Sequence, residues 1–195
     1  MAKLYFRYGA MGSSKTANLL MVQYNYKEKG QNAIILKPKI DNRDGDLIVK
    51  SRIGLEQSCQ YVEDFLKEAK GKWKSENWEK VNAILIDEAQ FITEEEANTF
   101  ADIVDYHNIP VICYGLRTDF TGHLFEGSKR LLEIADVIEE IPTICWCGRK
   151  AHFNARVVNG HITTSGEQVM LGGNECYVSL CRKHFFQRKI NKNNL

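Results

Sequence analysis

Within 195 residues there is no excess of one charge, no internal repeat and no low-complexity tract. There is also no run of about 18 apolar residues, which excludes a membrane-spanning helix. With MAKLYFRYG leading straight into a strand-like segment, export is not expected either. Lys+Arg number 26 against Asp+Glu 25, so there is no global footprint for nucleic acid or for a membrane surface, and any basic site is local. The predicted compartment is the cytoplasm, where six cysteines do not read as a disulfide framework; metal ligation or simple burial must explain them. What is present, 44% hydrophobic and 26% charged residues, is enough for one well-formed core with length left for a small lobe.

The first two thirds alternate strand-like and helix-like patterns, the mark of a mostly parallel sheet covered by helices. LYFRYG enters a Gly-containing loop, and Ala17, Leu20, Met21 and Tyr24 repeat at helical spacing until Gly30. AIIL (33–36), AILI (83–86) and VICYG (111–115) are further strands. One helix carries Val62, Phe65, Leu66 and Ala69 and is expected to stop at Gly71. A second begins at a Thr93/Glu96 capping box and presents Ala97, Phe100, Ala101 and Val104. A short helix around Leu131 and Leu132 precedes DVIEE. After Pro142 short strands replace helices, and Asn159-Gly160 between β-prone runs predicts a type I′ hairpin. The expected division is a nucleotide-binding domain over 1–142, a β-rich lobe over 143–186 and a basic, frayed or partner-contacting tail over 187–195.

Residues 9–16 read GAMGSSKT. In the pattern G-x-x-x-x-G-K-[ST], backbone N–H groups of a tight loop face nucleotide phosphates, the Lys neutralises charge and the hydroxyl holds magnesium. Gly9, Ala10, Met11, Gly12, Ser13, Ser14, Lys15 and Thr16 fill that pattern, with Ser14 where a second Gly belongs; its β-carbon can crowd the phosphates or resist the backbone angle. A lone loop of this kind can be an accidental surface turn. AILIDEAQF adds a second signal, placing Asp87 and Glu88 directly after a buried strand, where an acid faces magnesium from the C-terminal edge of a sheet. Asp87 is the metal-side acid and Glu88 the proton acceptor, with Ala89 and Gln90 completing the nucleotide-proximal DEAQ. The same DEAQ is compatible with a helicase-like ATPase bearing a zinc ribbon, but such a motor needs two lobes or a ring and a basic, aromatic strand-binding surface.

TICWCGRK supplies Cys145 and Cys147, and YVSLCRKH supplies Cys181 and His184. Four soft or borderline ligands with no open position predict a structural zinc, with Gly148 tightening the first turn. Cys59, Cys113 and Cys176 lie alone and read as buried thiols.

GAMGSSKT, KPKIDNRDG, SRIGL, DEAQF, YGLRTDF, GSKRLLEIAD, TICWCGRKA and GEQVMLGGNECYVSLCRKH, in that order over almost the whole chain, resemble the zinc-containing cytosolic thymidine kinase family. The resemblance implies a RecA-like P-loop α/β domain plus a zinc lobe with a lasso loop. It implies an ATP:thymidine 5′-phosphotransferase that also takes deoxyuridine, with magnesium accompanying ATP. It further implies feedback inhibition by dTTP, a homotetramer, a role in deoxynucleotide supply for DNA synthesis, and neither nucleic acid nor membrane as partner. By position, Glu88 matches the catalytic base, Lys15 and Thr16 the phosphate and magnesium residues, and Asp41 and Arg43 a pair near the phosphates. Met11, Phe91, Leu116, Phe120 and Phe125 match the apolar walls around the nucleoside, Asn154 a variable residue of the methyl pocket, and Tyr177 the lasso residue over base or sugar. Backbone groups at Met170, Leu171 and Gly172 would read the pyrimidine edge. Ser14 and the shortened cysteine pair are the two departures from the family pattern.

Overall fold

The computed structural model describes residues 1–41, 45, 47–72, 80–168 and 177–191. Arg43, Met170, Leu171, Gly172 and Cys176 therefore lie outside the described residues.

Six strands form the central sheet: β1 (Leu4–Tyr8), β2 (Ala33–Lys37), β5 (Gln60–Tyr61), β6 (Ala83–Ile86), β7 (Val111–Gly115) and β8 (Val137–Glu140). They lie in the order β5-β2-β6-β7-β1-β8, and every pairing is parallel. The apolar run of each inner strand is divided between two faces. Leu4, Phe6, Ile84, Ile86, Val111 and Cys113 point to one core, which α2 (Val62–Lys72), α3 (Glu94–His107) and α4 (Glu126–Ile134) cover. Ala83, Leu85, Ile112 and Tyr114 point to the other, covered by α1 (Lys15–Glu28) and by the hairpin of β3 (Ile48–Lys50) and β4 (Glu56–Ser58). A parallel sheet clothed on both sides needs such two-faced hydrophobic strands.

The structure departs from these local signals in two helices. The Thr93/Glu96 capping box is present in full, but α2 runs through Gly71 to Lys72. In α1 the buried face is Lys15, Ala17, Leu19 and Leu20, while Met21 and Tyr24 are exposed. The loop sets this rotation: with Lys15 inside and Thr16 hydrogen-bonded to Asp87, the residues one turn on, Leu19 and Leu20, must meet the sheet.

The last third contains β9 (Thr143–Ile144) paired with β10 (Lys150–Ala151), and a three-stranded antiparallel sheet β12-β11-β13 made of β11 (Phe153–Val158), β12 (His161–Thr163) and β13 (Tyr177–Leu180). Asn159 (φ 51°) and Gly160 (φ 75°) form the hairpin turn, both in the left-handed region that a type I′ turn requires. Ala155, Leu180, Cys181 and Phe185, from this sheet and α5 (Arg182–Phe186), make a separate small core. Ile190 packs on that core and the Lys189 carbonyl accepts from Trp146 Nε1 at 3.4 Å, so the start of the tail is docked rather than frayed. No helix among the described residues is long and apolar enough to cross a membrane.

Candidate active site

All six strands of the central sheet run the same way, so the segments after β1, β2, β6 and β7 emerge on one edge. After β1, residues 9–14 form the loop that opens α1. A Cβ on Gly9 would lie 2.4 Å from both the Ile141 carbonyl oxygen and Ser13 Oγ, which leaves room for glycine alone. Ser14 takes φ 59°, ψ 27° at the helix N-cap, and its side chain makes no capping hydrogen bond. The serine thus adopts the left-handed geometry that the missing glycine would have taken without strain. Lys15 is buried, and its ammonium donates to the carbonyls of Gly9 (3.1 Å) and Ala10 (3.0 Å) and to Ser13 Oγ (3.3 Å).

From β6 come the two acids. Asp87 Oδ2 accepts from Thr16 Oγ1 at 2.9 Å, joining the loop to the acidic segment across β7. Burial, reinforced by the adjacent Glu88 carboxylate and opposed by Thr16, raises the Asp87 pKa to about 7. A desolvated carboxylate beside a hydroxyl is a hard-oxygen pair that a divalent cation would hold ionised. Glu88 itself has φ 50° and accepts from the side-chain amide of Gln90. Gln90 Oε1 in turn accepts from the Leu116 backbone N–H at 2.9 Å, so one buried amide fixes Glu88 against the end of β7.

Two cavities open here. A cleft of about 380 Å³ is lined by Gly12, Ser13, Ser14, Lys15, Thr16 and Asp87, with Lys50 and Arg52 of the β3–β4 hairpin on its far side. An apolar pocket of about 80 Å³ lies next to it, walled by Phe91, Phe120 and Phe125, with Asn154 and Tyr177 contributed by β11 and β13. Met11, Asp41, Glu88 and Leu116 line both. Phe91 and Phe125 meet edge to face at 5.6 Å. The buried Arg156 guanidinium lies 3.8 Å from the Phe120 ring centroid and donates to the Tyr177 hydroxyl through Nε (2.8 Å) and Nη2 (2.6 Å). Burial works to raise Asp119, yet hydrogen bonds from Thr121, Gln168 and His123 bring its pKa below the usual carboxylate value.

The loop and the small lobe are tied at one residue. Met11 N–H donates to Asn154 Oδ1 at 2.7 Å, and the Met11 carbonyl accepts from Ser179 Oγ. Asn154 therefore does more than line the pocket.

In the lobe, Cys145, Cys147, Cys181 and His184 place their ligand atoms within 4.8 Å of one another. Nδ1 of His184 stands 3.4 Å from Cys145 Sγ and 3.6 Å from Cys181 Sγ, and the sulfurs of Cys147 and Cys181 are 3.9 Å apart. A tetrahedron with metal–sulfur bonds of about 2.3 Å and metal–nitrogen bonds of about 2.0 Å has edges of about 3.5–3.8 Å, which these three separations approach, so the cluster could hold a tetrahedral ion. The Arg149 backbone N–H holds the Cys147 thiol below its ordinary pKa, while burial raises that of Cys145. Burial, helped by Lys189, Lys183 and Arg149, lowers His184 and favours the neutral, ligating imidazole. Gly148, at φ +81°, closes the turn between the first two cysteines and Arg149; its N–H donates to the Cys145 carbonyl at 2.8 Å. The His184 ring is stacked on Trp146 at 4.2 Å. Cys59 and Cys113 are buried, as expected of lone thiols.

Most of the site residues named from the sequence converge on these two cavities. Gly9, Ala10 and Ala89 instead support the walls: Gly9 N–H donates to the Gly115 carbonyl, Ala10 belongs to the lobe core and Ala89 is fully buried. Sequence reasoning missed Arg52, Thr118, Asp119, Arg156 and Gln168. Arg52, Thr118, Asp119 and Gln168 stand in the motifs SRIGL, YGLRTDF and GEQVMLGGNECYVSLCRKH without a role of their own, and no spacing in the chain joins residue 119 to residues 156 and 168.

A profile of the family described as thymidine kinase matches residues 2–185. The thymidine kinase of Mannheimia succiniciproducens is 47% identical over 192 residues, covering 96% of this chain and 97% of that protein. That of enterobacteria phage T4 is 46% identical over 187 residues, covering 95% and 96% respectively, and that of Streptococcus gordonii 45% over 192 residues, covering 98% and 100%. Among solved structures, AMPPCP-bound DnaA from Aquifex aeolicus superposes with a TM-score of 0.44 at 18% identity, covering 72% of this chain and 40% of that one.

Proposed function

Because the chain belongs to the thymidine kinase family, matched from residue 2 to residue 185, we propose that it transfers the γ-phosphoryl group of ATP to the 5′-hydroxyl of thymidine, and of deoxyuridine. The observation that carries this reading is the shared wall: the cleft under the phosphate-type loop and the aromatic pocket meet at Met11, Asp41, Glu88 and Leu116. A phosphate donor in one and a nucleoside in the other would present their reacting groups to each other beside a single carboxylate.

In this reading the loop N–H groups and Lys15 receive the β- and γ-phosphates, Lys15 exchanging its carbonyl partners for phosphate oxygens. Thr16 and Asp87 would hold magnesium, which when bound neutralises charge developing on the transferred group. Glu88, held by Gln90, takes the proton of the 5′-hydroxyl as its oxygen attacks phosphorus in line. Asp41 flanks the phosphates, with Arg43 proposed beside it, and backbone groups at Met170, Leu171 and Gly172 are proposed to read the base. Phe91, Phe120, Phe125 and Tyr177 supply the apolar faces against which a pyrimidine packs.

The four-ligand cluster would hold a structural zinc, closing the ends of the lobe we assign to residues 143–186. Its ligand set, three thiols and an imidazole, is the chemistry that zinc favours. Inhibition by dTTP, assembly as a homotetramer and a role in DNA synthesis rest on the family resemblance, and a cytoplasmic location is proposed with them. The deciding experiment incubates purified protein with ATP, magnesium and a panel of nucleosides. Thymidine-dependent ADP formation with thymidine monophosphate as product is expected; ATP hydrolysis stimulated by nucleic acid and indifferent to thymidine would overturn the reading.

A further inference from the structure

In the aromatic pocket, Met11, Asp41, Glu88 and Leu116 open to the phosphate cleft, whereas Thr118, Asp119 and Gln168 are among the residues that line the pocket but not the cleft. A nucleoside whose sugar faces Glu88 puts its base among the residues that line the pocket alone.

Most polar side chains around the pocket are already engaged. Asp119 accepts from Thr121, His123 and Gln168, Gln90 is bonded at both ends of its amide, Asn154 accepts from Met11 and the Tyr177 hydroxyl accepts from Arg156. Thr118 differs. It is only 6% exposed, and its Oγ1 is shielded from solvent with no hydrogen-bond partner among the described residues. A buried hydroxyl left unpaired is costly and uncommon in folded proteins. Thr118 lines the pocket, and a side-chain rotation that turns the hydroxyl into it would let a ligand bring the missing partner.

We infer that the Thr118 hydroxyl is a specificity-determining contact, bonding the polar edge of the pyrimidine ring; this rests on the reading of the pocket as a nucleoside site. A hydroxyl both donates and accepts, so it can serve a ring carbonyl or the adjoining ring N–H. A site built around such a bond discriminates against rings that lack the matching group.

The test measures the thymidine dissociation constant by calorimetry on the full chain, and in parallel the melting temperature of the ligand-free protein, for the parent, Thr118→Val and Thr118→Ser. Valine keeps the shape and removes the hydroxyl. Its thymidine affinity should fall about 5- to 10-fold while the melting temperature stays level or rises, because the orphaned group has gone. Serine should bind within about twofold of the parent, as the hydroxyl is retained. Unchanged affinity in the valine variant would overturn the assignment. So would a lowered melting temperature accompanying weaker binding, which would make the hydroxyl a structural partner, or a loss with serine as large as with valine, which would put the effect on the methyl. Failure of the parent protein to bind thymidine would remove the nucleoside-site reading itself, before any variant is compared.

Discussion

Ser14 and Glu88 are both non-glycine residues with positive φ, at 59° and 50°, and both line the phosphate cleft. A left-handed angle costs an L-residue roughly 1–2 kcal/mol. Ser14 loses no capping bond on replacement, so Ser14→Gly should raise the melting temperature by about 2–4 °C in a chain of this size, with turnover equal or higher; scanning calorimetry and a steady-state assay check the two parts. Glu88→Gln keeps a hydrogen-bond acceptor for Gln90 but cannot take a proton. Turnover should fall at least about 100-fold while thymidine affinity by calorimetry stays near the parent value. At this scale the sequence was most legible where chemistry is local: the loop and the acid pair each stand within eight or nine consecutive residues, and the metal ligands come as two short pairs, Cys145/Cys147 and Cys181/His184. The consequence of Ser14 was also legible in kind, since the side chain that raised the question of strain is found in the strained geometry.

Helices and strands were legible where burial on both faces makes a continuous apolar run, as in AILI and VICYG, or where a capping pair marks a start, as at Thr93 and Glu96. Helix α1 was misread because a helix attached to a functional loop is rotated by that loop, and hydrophobic spacing carries no knowledge of it. Contacts between elements were hidden for a similar reason. Met11 and Asn154 are 143 residues apart, and only the packing of β11 beside the loop brings them together. That contact predicts a joint effect. Asn154→Leu would leave the Met11 N–H without its acceptor, a loss of about 1–3 kcal/mol if it stays buried. The KM for ATP and the KM for thymidine should then rise together, as initial-rate measurements with each substrate varied would reveal; a rise confined to thymidine would mean that Asn154 acts on the pocket alone.

Across the whole molecule, the sheet with a core on each face and the smaller core around Ala155, Leu180 and Phe185 are tied together at Met11 of the candidate site. The smaller core has few residues and includes Cys145 and Cys181 of the four-ligand cluster, so an ion held there would be coupled to its folding. Stripping the ion with a chelator should first weaken thymidine binding and speed amide exchange in β11 and β13, with the sheet strands β1, β6 and β7 protected until higher temperature. Hydrogen exchange followed by mass spectrometry would resolve that order, and uniform loss of protection would contradict it.

The central sheet also has two margins. One is a strand of only two residues, Gln60–Tyr61, and the other, Val137–Glu140, carries Glu139 paired to Arg7 and Glu140 paired to Lys150. Brevity on one flank and fixed charge on the other discourage a neighbouring copy from continuing the ladder. Any self-assembly is thereby turned toward surfaces other than the two sheet margins.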